Sequence, residues 1–273
     1  MRTDEILHYF AKYIEAEVGI IYSEHNYFQL QNRLEEIAKM NGIPSLDIMY
    51  QKCQLGFCDK FKQTLLDLAT NNETSFFRDS KVFRAMENII KRLSSENKSN
   101  SNELRIWSAA SSTGQEAIST AILINEYNEK MNTSIQFTIT GTDVSERVLV
   151  KAKEARYSQL EVQRGLTPQL LQKYFLQEDD NQWVASPIIT KNIEFNKINL
   201  KDSFSFNENF HLILCRNVLI YQNVDAKMAI LSKITSFLAS GGFLILGSGE
   251  SLVGLSAAYE QVFDDGAVVY RKN

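Results

Sequence analysis

The chain of 273 residues has little of what marks disulfide-rich, fibrous or membrane-spanning proteins. It contains only 3 Pro, and its 12 Gly follow no repeat. No apolar run approaches the ~18–20 residues of a membrane-spanning helix. Acidic residues interrupt the N-terminal stretch MRTDEILHYFAKYIEAEVG, so we expect no signal peptide. These absences favour a globular, cytoplasmic protein that does not insert into a membrane.

Cysteine is also scarce, with 3 residues in the whole chain. Cys53 and Cys58 are separated by four residues, but no second Cys pair and no nearby His completes a zinc site. We therefore predict reduced thiols and no metal. The three histidines show no catalytic triad or ligand spacing and receive no role: His8, His25 and His211.

Positive charge is not in excess, because 29 basic residues face 33 acidic ones and the net charge is −4. A basic field that would attract nucleic acid is therefore absent, and we expect no nucleic-acid partner. The hydrophobic fraction of 44% and the charged fraction of 23% are ordinary for a globular protein.

The first 70 residues are predicted to form a small all-α N-terminal domain. Apolar residues recur there at three- and four-residue spacing, and the segments SLDIMYQKC and DKFKQTLLDLAT repeat this pattern. Asn41-Gly42 supplies a helix stop. The clearest apolar stripe contains Tyr27, Leu30, Leu34, Ile37 and Met40.

Residues 71–273 are predicted to form a second, α/β domain. A helix at 81–93 leads into the polar loop SSENKSNSNE, and strands then alternate with helices. This alternation implies a doubly wound, mainly parallel sheet. The predicted strands are 104–110, 136–144, 193–200, 210–218, 242–249 and 267–273, and the predicted helices are 114–130, 145–155 and 224–239.

One segment, about 157–192, interrupts the alternation. It contains the helix-like TPQLLQKYF, the acidic turn QEDDNQ and short strand candidates around WVASPIIT. This is too much sequence for a simple connection. We therefore predict a small inserted subdomain that contains β-structure.

The stretch RIWSAASSTGQEA (105–117) places a turn of small residues directly after a strand, where α/β proteins bind nucleotides. It lacks both G-x-G-x-x-G and a P-loop Lys, and Glu116 would repel a phosphate. Asp143 ends the second strand, 29 residues after Gly114, where an acid accepts hydrogen bonds from ribose hydroxyls. These residues favour S-adenosylmethionine over NAD. A simpler reading stays open, in which Glu116 only interacts with the helix dipole.

Several segments carry a family resemblance. NNETSFFRDSKVF (71–83), WSAASSTGQEAIS (107–119) and CRNVLIY (215–221) look like signature segments of the CheR chemotaxis receptor methyltransferases. GTDVS (141–145), LTPQLLQKYF (166–175) and GGFLILGSGESL (241–252) follow in that family's order. The resemblance covers nearly the whole chain and implies the S-adenosylmethionine-dependent methyltransferase type of α/β fold.

The resemblance also implies an activity, a cofactor and a partner. A methyl group would pass from S-adenosylmethionine to receptor glutamate carboxylates, giving glutamyl methyl esters and S-adenosylhomocysteine, without a metal. The partner would be the cytoplasmic helical bundle of methyl-accepting chemotaxis receptors. Arg78 and Tyr221 would be the catalytic residues nearest the transfer site. The implied cofactor contacts are Asn72, Thr74, Arg78, Glu116, Asp143, Asn199, Leu200, Asn217 and Val218.

The loop 113–118 departs from the resembled family, which usually has two acids and then Pro-Tyr. Gln115 replaces the first acid, and Ala117 and Ile118 replace the Pro-Tyr pair. Glu116 retains the second acid, so we expect cofactor binding to persist with altered loop rigidity.

Two receptor-binding features of the family are also altered. The first 70 residues hold 7 Lys/Arg and 10 Asp/Glu, a net of −3, where the family usually offers a basic helix face. The exposed side of the helix 26–40 is expected to be mixed: Gln29, Asn32, Arg33, Glu36 and Lys39. The turn LQEDDNQWVA (176–185) has no Gly and three acids. At this position some family members bind the C-terminal peptide of a receptor. We therefore predict weak electrostatic steering and no tight binding of a receptor C-terminal peptide.

Alternatives remain open at this stage. Arg78 could pair only with Asp79 or a helix end, Tyr221 could be a core aromatic, and Asn217 could be a turn former. The protein could be a methyltransferase of the same fold with a different carboxylate substrate. It could also be a non-catalytic, S-adenosylmethionine-binding regulatory protein.

Overall fold

The structure is a computed structural model that describes residues 3–56, 59–96 and 103–273. Cys58 and most of the predicted Ser/Asn-rich loop therefore lie outside the described residues. Cys53 and Cys215 are both buried and unbridged. Among the described residues, no helix has the length and apolar character needed to cross a membrane.

The N-terminal part consists of helices with a core of their own. The helices are α1 (Thr3–Val18), α2 (Tyr27–Met40), α3 (Leu46–Gln54) and α4 (Asp59–Ala69), with a 3-10 turn at Glu24–Asn26. Phe10, Ile14 and Leu34 lie at the centre of the cluster that they share. The apolar stripe predicted for α2 is buried at Leu30, Leu34 and Ile37, but Met40 at its end is 65% exposed.

Arg33 is not on the exposed face of α2, which corrects the expectation from the sequence. Its guanidinium donates to the carbonyl oxygen of Ala69 at 2.6 Å and to the hydroxyl of Tyr22. Arg33 thereby connects α2 to the C-terminal end of α4, whose last carbonyls have no partner within the helix. The other four side chains expected on that face are exposed, and Lys39 is the one basic residue among them.

The helix α5 (Ser80–Glu96) is longer at its C-terminal end than the predicted 81–93. Its apolar residues, including Phe83, Met86 and Ile90, recur at helical spacing and are buried. Residues 94–96 belong to this helix rather than to the predicted loop, whose residues 97–102 lie outside the described part of the chain.

The remaining chain forms the α/β unit and its insertion. In chain order the elements are β1 (Glu103–Ala109), α6 (Gln115–Met131), β2 (Gln136–Asp143), α7 (Glu146–Glu154), β3 (Arg156–Ser158), α8 (Gln159–Gln163), α9 (Pro168–Tyr174), β4 (Phe175–Asp179), β5 (Gln182–Ala185), α10 (Pro187–Thr190), β6 (Ile193–Lys197), β7 (Phe210–Cys215), a 3-10 turn (Leu219–Tyr221), α11 (Val224–Phe237), β8 (Leu238–Leu246), β9 (Tyr259–Asp264) and β10 (Ala267–Lys272).

Seven of these strands form one sheet in the order β6-β2-β1-β7-β8-β10-β9. The first five are parallel, and β10 is antiparallel to both β8 and β9. The sequence order reverses between β1 and β7, so the carboxyl ends of these neighbours bracket a switch point, where ligands bind in open α/β sheets. The predicted doubly wound, mainly parallel α/β sheet is confirmed.

Several strand ends differ from the predictions, and β9 was not predicted. The strand β6 ends at Lys197 rather than 200, because Asn199 accepts a hydrogen bond from the backbone N–H of Lys201 and turns the chain. The strand β7 ends at Cys215 rather than 218, because Asn217 has a left-handed backbone with φ of 59°. The strand β8 begins at Leu238, four residues before the predicted 242.

The inserted segment carries a separate antiparallel sheet in the order β3-β5-β4. TPQLLQKYF forms the predicted helix, α9, with Thr167 as N-cap and Pro168 in the first turn. The strand candidates around WVASPIIT are right only in part. The residues PIIT form the short helix α10, because Ser186 caps the N-H of Ile188 and Pro187 follows it.

Candidate functional site

A deep cleft lies at the carboxyl ends of β1, β2 and β7. It holds about 990 Å³ of empty space, counted to its open mouth. All ten residues predicted for cofactor binding and methyl transfer line it: Asn72, Thr74, Arg78, Glu116, Asp143, Asn199, Leu200, Asn217, Val218 and Tyr221. Residues from five separate stretches of sequence therefore meet in one cleft.

The turn after β1 forms the floor of the cleft and is tightly folded. Ala110 and Ser112 have left-handed backbones, with φ of 58° and 51°, a conformation that costs non-glycine residues about 1–3 kcal/mol. Gly114, with φ of 90°, is the N-cap of α6, and a Cβ atom there would lie 3.1 Å from the Cβ of Ala152. This turn brings backbone rather than bulky side chains next to the cleft.

Asp143 is held by backbone groups on both sides. Its two carboxylate oxygens accept hydrogen bonds from the N–H of Ser112 at 2.9 Å and of Ser145 at 3.0 Å. Burial raises the pKa of Asp143, and these hydrogen bonds oppose that rise. A carboxylate accepts about four hydrogen bonds, so Asp143 has capacity left for hydroxyl groups of a ligand in the cleft.

Glu116 lies in a buried ion pair that the sequence did not indicate. It accepts hydrogen bonds from the Ser108 hydroxyl at 2.7 Å and from Nη1 of Arg216 at 3.0 Å. The side chains of Glu116 and Arg216 are 13% and 4% exposed. Glu116 therefore does not face the cleft as a free negative charge. The only sequence signal for Arg216 is a charged residue directly after the apolar strand FHLILC.

Arg216 also supports the segment that carries Arg78. Its Nη2 donates to the backbone oxygen of Arg78 at 2.7 Å, and its guanidinium carbon lies 6.0 Å from the centre of the Phe83 ring. Arg78 itself is half-buried and donates from Nη1 to the carbonyl oxygen of Glu73 at 2.8 Å. The backbone of Phe77 on the same segment donates to the Ser119 hydroxyl at 3.0 Å.

Tyr221 lies at the end of the 3-10 turn after β7. Its hydroxyl accepts a hydrogen bond from the side chain of Asn71 at 2.8 Å. Tyr221 is half-buried and lines the cleft, so it is not a core aromatic. Its hydroxyl and the Arg78 guanidinium both reach the chain segment 71–73.

The side chains of Asn199 and Asn72 are engaged in supporting contacts. Asn199 donates to the backbone oxygen of Glu17 at 2.8 Å and accepts from Lys201 N–H at 3.0 Å. Asn72 donates to the backbone oxygen of Asp67 at 3.3 Å. Both side-chain amides therefore join two chain segments that meet at the wall of the cleft.

The end of α1 closes one side of the cleft, which the sequence analysis missed. Val18 and Ile20 line the cleft. The N–H of Ile21 donates to the backbone oxygen of Tyr221 at 2.9 Å, and the side chain of Gln222 donates to the backbone oxygen of Val18 at 3.2 Å. The N-terminal helices are thus attached directly to the segment that carries Tyr221.

The residues that depart from the family's loop point away from the cleft. Ala117 and Ile118 are fully buried in the core that α6 shares with α5 and the sheet. Gln115 is 2% exposed, and its side-chain oxygen accepts from the Thr113 hydroxyl at 2.7 Å. The departures therefore change core packing and leave Glu116 in place.

The chemistry of the lining suits a nucleoside with a charged amino-acid tail. Three carboxylates, of Glu73, Glu116 and Asp143, and two guanidinium groups lie around the cleft. The buried Ser111 hydroxyl there has no hydrogen-bond partner among the described residues, which leaves a donor and an acceptor for a ligand. Within the described ranges, no group of three or more His, Cys, Asp or Glu side chains could hold a metal ion.

Comparison with known proteins agrees with this chemistry. Residues 72–267 match the family model described as CheR methyltransferase, SAM binding domain. Together with the sheet topology, this match defines an S-adenosylmethionine-dependent methyltransferase. The chain belongs to the CheR methyltransferase family.

Individual relatives are similar over almost the full length of the chain. Chemotaxis protein methyltransferase Cher2 of Pseudomonas putida is 33% identical over 265 residues, with 96% of each chain covered. Chemotaxis protein methyltransferase 1 of Pseudomonas aeruginosa is 33% identical over 267 residues, again with 96% of each covered. Among solved structures, N-methyltransferase NodS from Bradyrhizobium japonicum in complex with S-adenosyl-L-homocysteine aligns with a TM-score of 0.40 and 16% identity, covering 76% of this chain and 94% of that one.

Proposed function

We propose that this protein transfers the methyl group of S-adenosylmethionine to glutamate side chains of chemotaxis receptors, giving glutamyl methyl esters and S-adenosylhomocysteine. Membership of the CheR family supports the reaction. The observation that carries the residue assignment is the meeting of all ten predicted side chains in one cleft.

The cofactor is proposed to bind along the floor of the cleft. Asp143 would accept hydrogen bonds from ribose hydroxyls, and Glu116 would face the amino group of the methionine tail. The bound cofactor supplies the methyl group and a sulfur that leaves as an uncharged thioether. The remaining proposed contacts surround it: Asn72, Thr74, Arg78, Asn199, Leu200, Asn217 and Val218.

The reaction needs orientation more than proton transfer. A glutamate carboxylate has an ordinary pKa of ~4.3 and is ionised at neutral pH, so no general base is required. The enzyme must hold the attacking oxygen, the methyl carbon and the sulfur in line, and positioning of this kind can supply ~7–11 kcal/mol. Attack neutralises both the carboxylate and the sulfonium. A cleft that excludes water therefore favours the transition state.

Arg78 and Tyr221 are proposed to orient the acceptor. The Arg78 guanidinium has five N–H donors, and its hydrogen bond to the carbonyl oxygen of Glu73 leaves donors for a bidentate contact with the incoming carboxylate. The Tyr221 hydroxyl accepts from Asn71 and so keeps its own hydrogen for the carboxylate. Its ring could also face the sulfonium.

The helical residues 1–70 are proposed to be a receptor-docking domain, and residues 71–273 the catalytic domain with the insertion at about 157–192. The partner is proposed to be the cytoplasmic helical bundle of a receptor, which places the enzyme in the cytoplasm. Arg33 is committed to contacts with α4, and the N-terminal segment carries net negative charge. Both facts support weak electrostatic steering.

Tight binding of a receptor tail peptide by the insertion is not part of the proposal. Asp179 ends β4, and the turn to β5 contains Asp180 and no Gly. Glu178 on β4 is already paired with Arg156, with Nη2 and Oε1 2.6 Å apart. Calorimetric titration with an aromatic-rich tail peptide should give no micromolar binding, and micromolar binding would show this proposal to be wrong.

We also propose that no metal takes part in the reaction.

The test is incubation of the purified protein with radiolabelled S-adenosylmethionine and membranes carrying chemotaxis receptors. Base-labile label on a receptor band is expected, because methyl esters hydrolyse in alkali. Arg78→Ala should lose most of this activity, whereas Arg84→Ala, which removes an exposed Arg of α5, should keep it. Receptors with Gln at the acceptor positions should take up no label.

Two outcomes would overturn the proposal. Binding of S-adenosylhomocysteine without any receptor labelling would indicate a regulatory protein or a different carboxylate substrate. Full activity of Arg78→Ala would contradict the role given to Arg78.

A further inference from the structure

The segment GGFLILGSGESL (241–252) has no role in the mechanism described so far. It contains the end of β8 and a turn in which the N–H of Glu250 donates to the oxygen of Gly247 at 2.9 Å. This turn directs the Glu250 side chain back toward the strand that it follows. The carboxylate thereby reaches the neighbouring segment after β7.

Glu250 accepts hydrogen bonds from four backbone N–H groups. One oxygen, Oε2, accepts from Gly247 at 2.7 Å and from Asn217 at 2.8 Å. The other, Oε1, accepts from Val218 and Ile220, both at 3.0 Å. We call this arrangement the Glu250 clamp. Three of its four donors belong to the segment between β7 and Tyr221.

That segment needs an external acceptor because of its backbone. Asn217 is left-handed, with φ of 59°, and the 3-10 turn 219–221 follows directly. The N–H groups at the start of a helical turn have no partner within it. A carboxylate satisfies them and also interacts favourably with the positive end of the turn.

Gly247 is a second, independent sign that this contact is built in. A Cβ atom on Gly247 would lie 2.8 Å from Oε2 of Glu250 and 2.9 Å from the backbone nitrogen of Asn217. A side chain there would separate the two groups that the clamp joins. Glycine is therefore required for the close approach of the two segments.

We propose that Glu250 is a positioning residue for methyl transfer, which rests on the function proposed above. Asn217, Val218 and Tyr221 line the cofactor cleft, whereas Glu250 lines a separate cavity behind them. Its carboxylate fixes the backbone of Asn217 and Val218 at the start of the segment. It thereby also fixes the position of the Tyr221 hydroxyl at the end of the segment. Glu250 acts on both ends through the backbone.

The clamp depends on a carboxylate in particular. Glutamine has nearly the same shape but one acceptor oxygen, so its NH₂ group would face two N–H donors. Aspartate keeps both oxygens and the charge but is one methylene shorter. Glu250→Gln should therefore disrupt the segment more than Glu250→Asp does.

The test compares Glu250→Gln and Glu250→Asp with the control Glu260→Gln, which removes an exposed carboxylate on β9. Calorimetry measures the Kd for S-adenosylhomocysteine, receptor labelling gives kcat and KM, and thermal unfolding reports the fold of the free protein. Glu250→Gln should weaken S-adenosylhomocysteine binding about tenfold, as expected for loss of one or two hydrogen bonds. It should lower kcat about 100-fold, as expected for a displacement near 1 Å. Glu250→Asp should recover part of both, and Glu260→Gln should change neither by more than about twofold.

A double-mutant cycle with Tyr221→Phe identifies the route of the effect. If the clamp acts through Tyr221, Glu250→Gln should lower kcat much less in the Tyr221→Phe background. Full activity of Tyr221→Phe alone would refute the proposed role of Tyr221 but leave the cofactor-affinity test of the clamp intact.

The proposed role of the Glu250 clamp is overturned if the Glu250→Gln protein folds and keeps both its affinity for S-adenosylhomocysteine and its kcat within twofold of the unaltered protein. Should Glu250→Gln fail to fold, Glu250→Asp decides in the same way. An intermediate loss of both quantities supports the clamp, and no loss overturns it.

Discussion

The buried pair of Glu116 and Arg216 gives the sharpest prediction about stability. Arg216→Met removes a guanidinium that is 4% exposed and leaves the Glu116 carboxylate, 13% exposed, with only the Ser108 hydroxyl as a partner among the described residues. Removing one member of a buried ion pair costs about 3–5 kcal/mol, because the remaining charge is neither solvated nor paired. Arg216→Met also removes the donor to the backbone oxygen of Arg78. We therefore expect a loss at the upper end of this range.

The double variant Glu116→Gln/Arg216→Met should be less destabilised than the sum of the two single variants. Both charges are then absent, and replacing a whole buried pair by uncharged groups is often close to neutral. We expect a coupling free energy of about 2 kcal/mol or more in favour of the double variant. The free energies of unfolding are measured by urea titration at neutral pH.

The pair Arg156 and Glu178 provides a matched control. Its charged atoms are 2.6 Å apart, but its side chains are 47% and 38% exposed. Exposed ion pairs contribute about 0–1 kcal/mol, so Arg156→Met should cost little. Additive effects of the Glu116 and Arg216 substitutions, or a loss no larger than that of Arg156→Met, would refute the reasoning from burial.

Three further predictions concern ligand binding, pH and salt. Asp143→Asn should weaken S-adenosylhomocysteine binding at least tenfold by calorimetry, and unchanged affinity would rule out the proposed ribose contact. Burial, and secondarily Arg105, lowers the pKa of His211 below its ordinary 6.5, and the unprotonated Nδ1 accepts from Arg105 N–H at 3.0 Å. A group with a lowered folded-state pKa favours folding when it is unprotonated, so the free energy of unfolding should fall as the pH drops below about 6.5. His211→Gln should flatten this decline, and an unaltered slope would contradict it. Receptor methylation should change less than about twofold between 0.05 and 0.3 M salt, whereas strong steering would produce a steep loss.

The order of the elements was predictable from the sequence because the central strands β7 and β8 contain long apolar runs. Every residue of FHLILC except the half-buried His211 is buried in the sheet, as is all of GFLIL, and such runs are characteristic of parallel strands. The strand β9 was missed because it is an edge strand whose side chains are all half-exposed or exposed. Its residues YEQVFD therefore lack a buried apolar run.

The ends of β6 and β7 were misjudged for a different reason. Each is set by one polar residue, Asn199 through a side-chain hydrogen bond and Asn217 through a left-handed backbone. Asparagine favours both conformations. Its presence in an apolar run indicates a turn, but the exact position depends on tertiary contacts such as the Glu250 clamp.

The residues of the cleft were predictable only where a sequence motif contains the lining side chain itself. Residues that support those side chains from behind, such as Arg216 and Glu250, are charged residues next to apolar strands. In a sequence they resemble strand ends exposed to water. Their roles arise from pairings across 100 residues in one case and about 30 in the other, and no local pattern contains that information.

The differences between the loop 113–118 and the usual family loop can be explained by the same distinction. Some side chains line the cleft, and others support those side chains from the core. In the first turn of α6, Glu116 faces the cleft, while Gln115, Ala117 and Ile118 are turned into the core. A carboxylate at position 115 would be a second buried charge beside Glu116, whereas Gln115 is neutral and accepts a hydrogen bond from Thr113. Ala117 and Ile118 fill core space between α6 and its neighbours. The cleft-lining Glu116 is therefore retained, and the other three positions lie in the packing behind it.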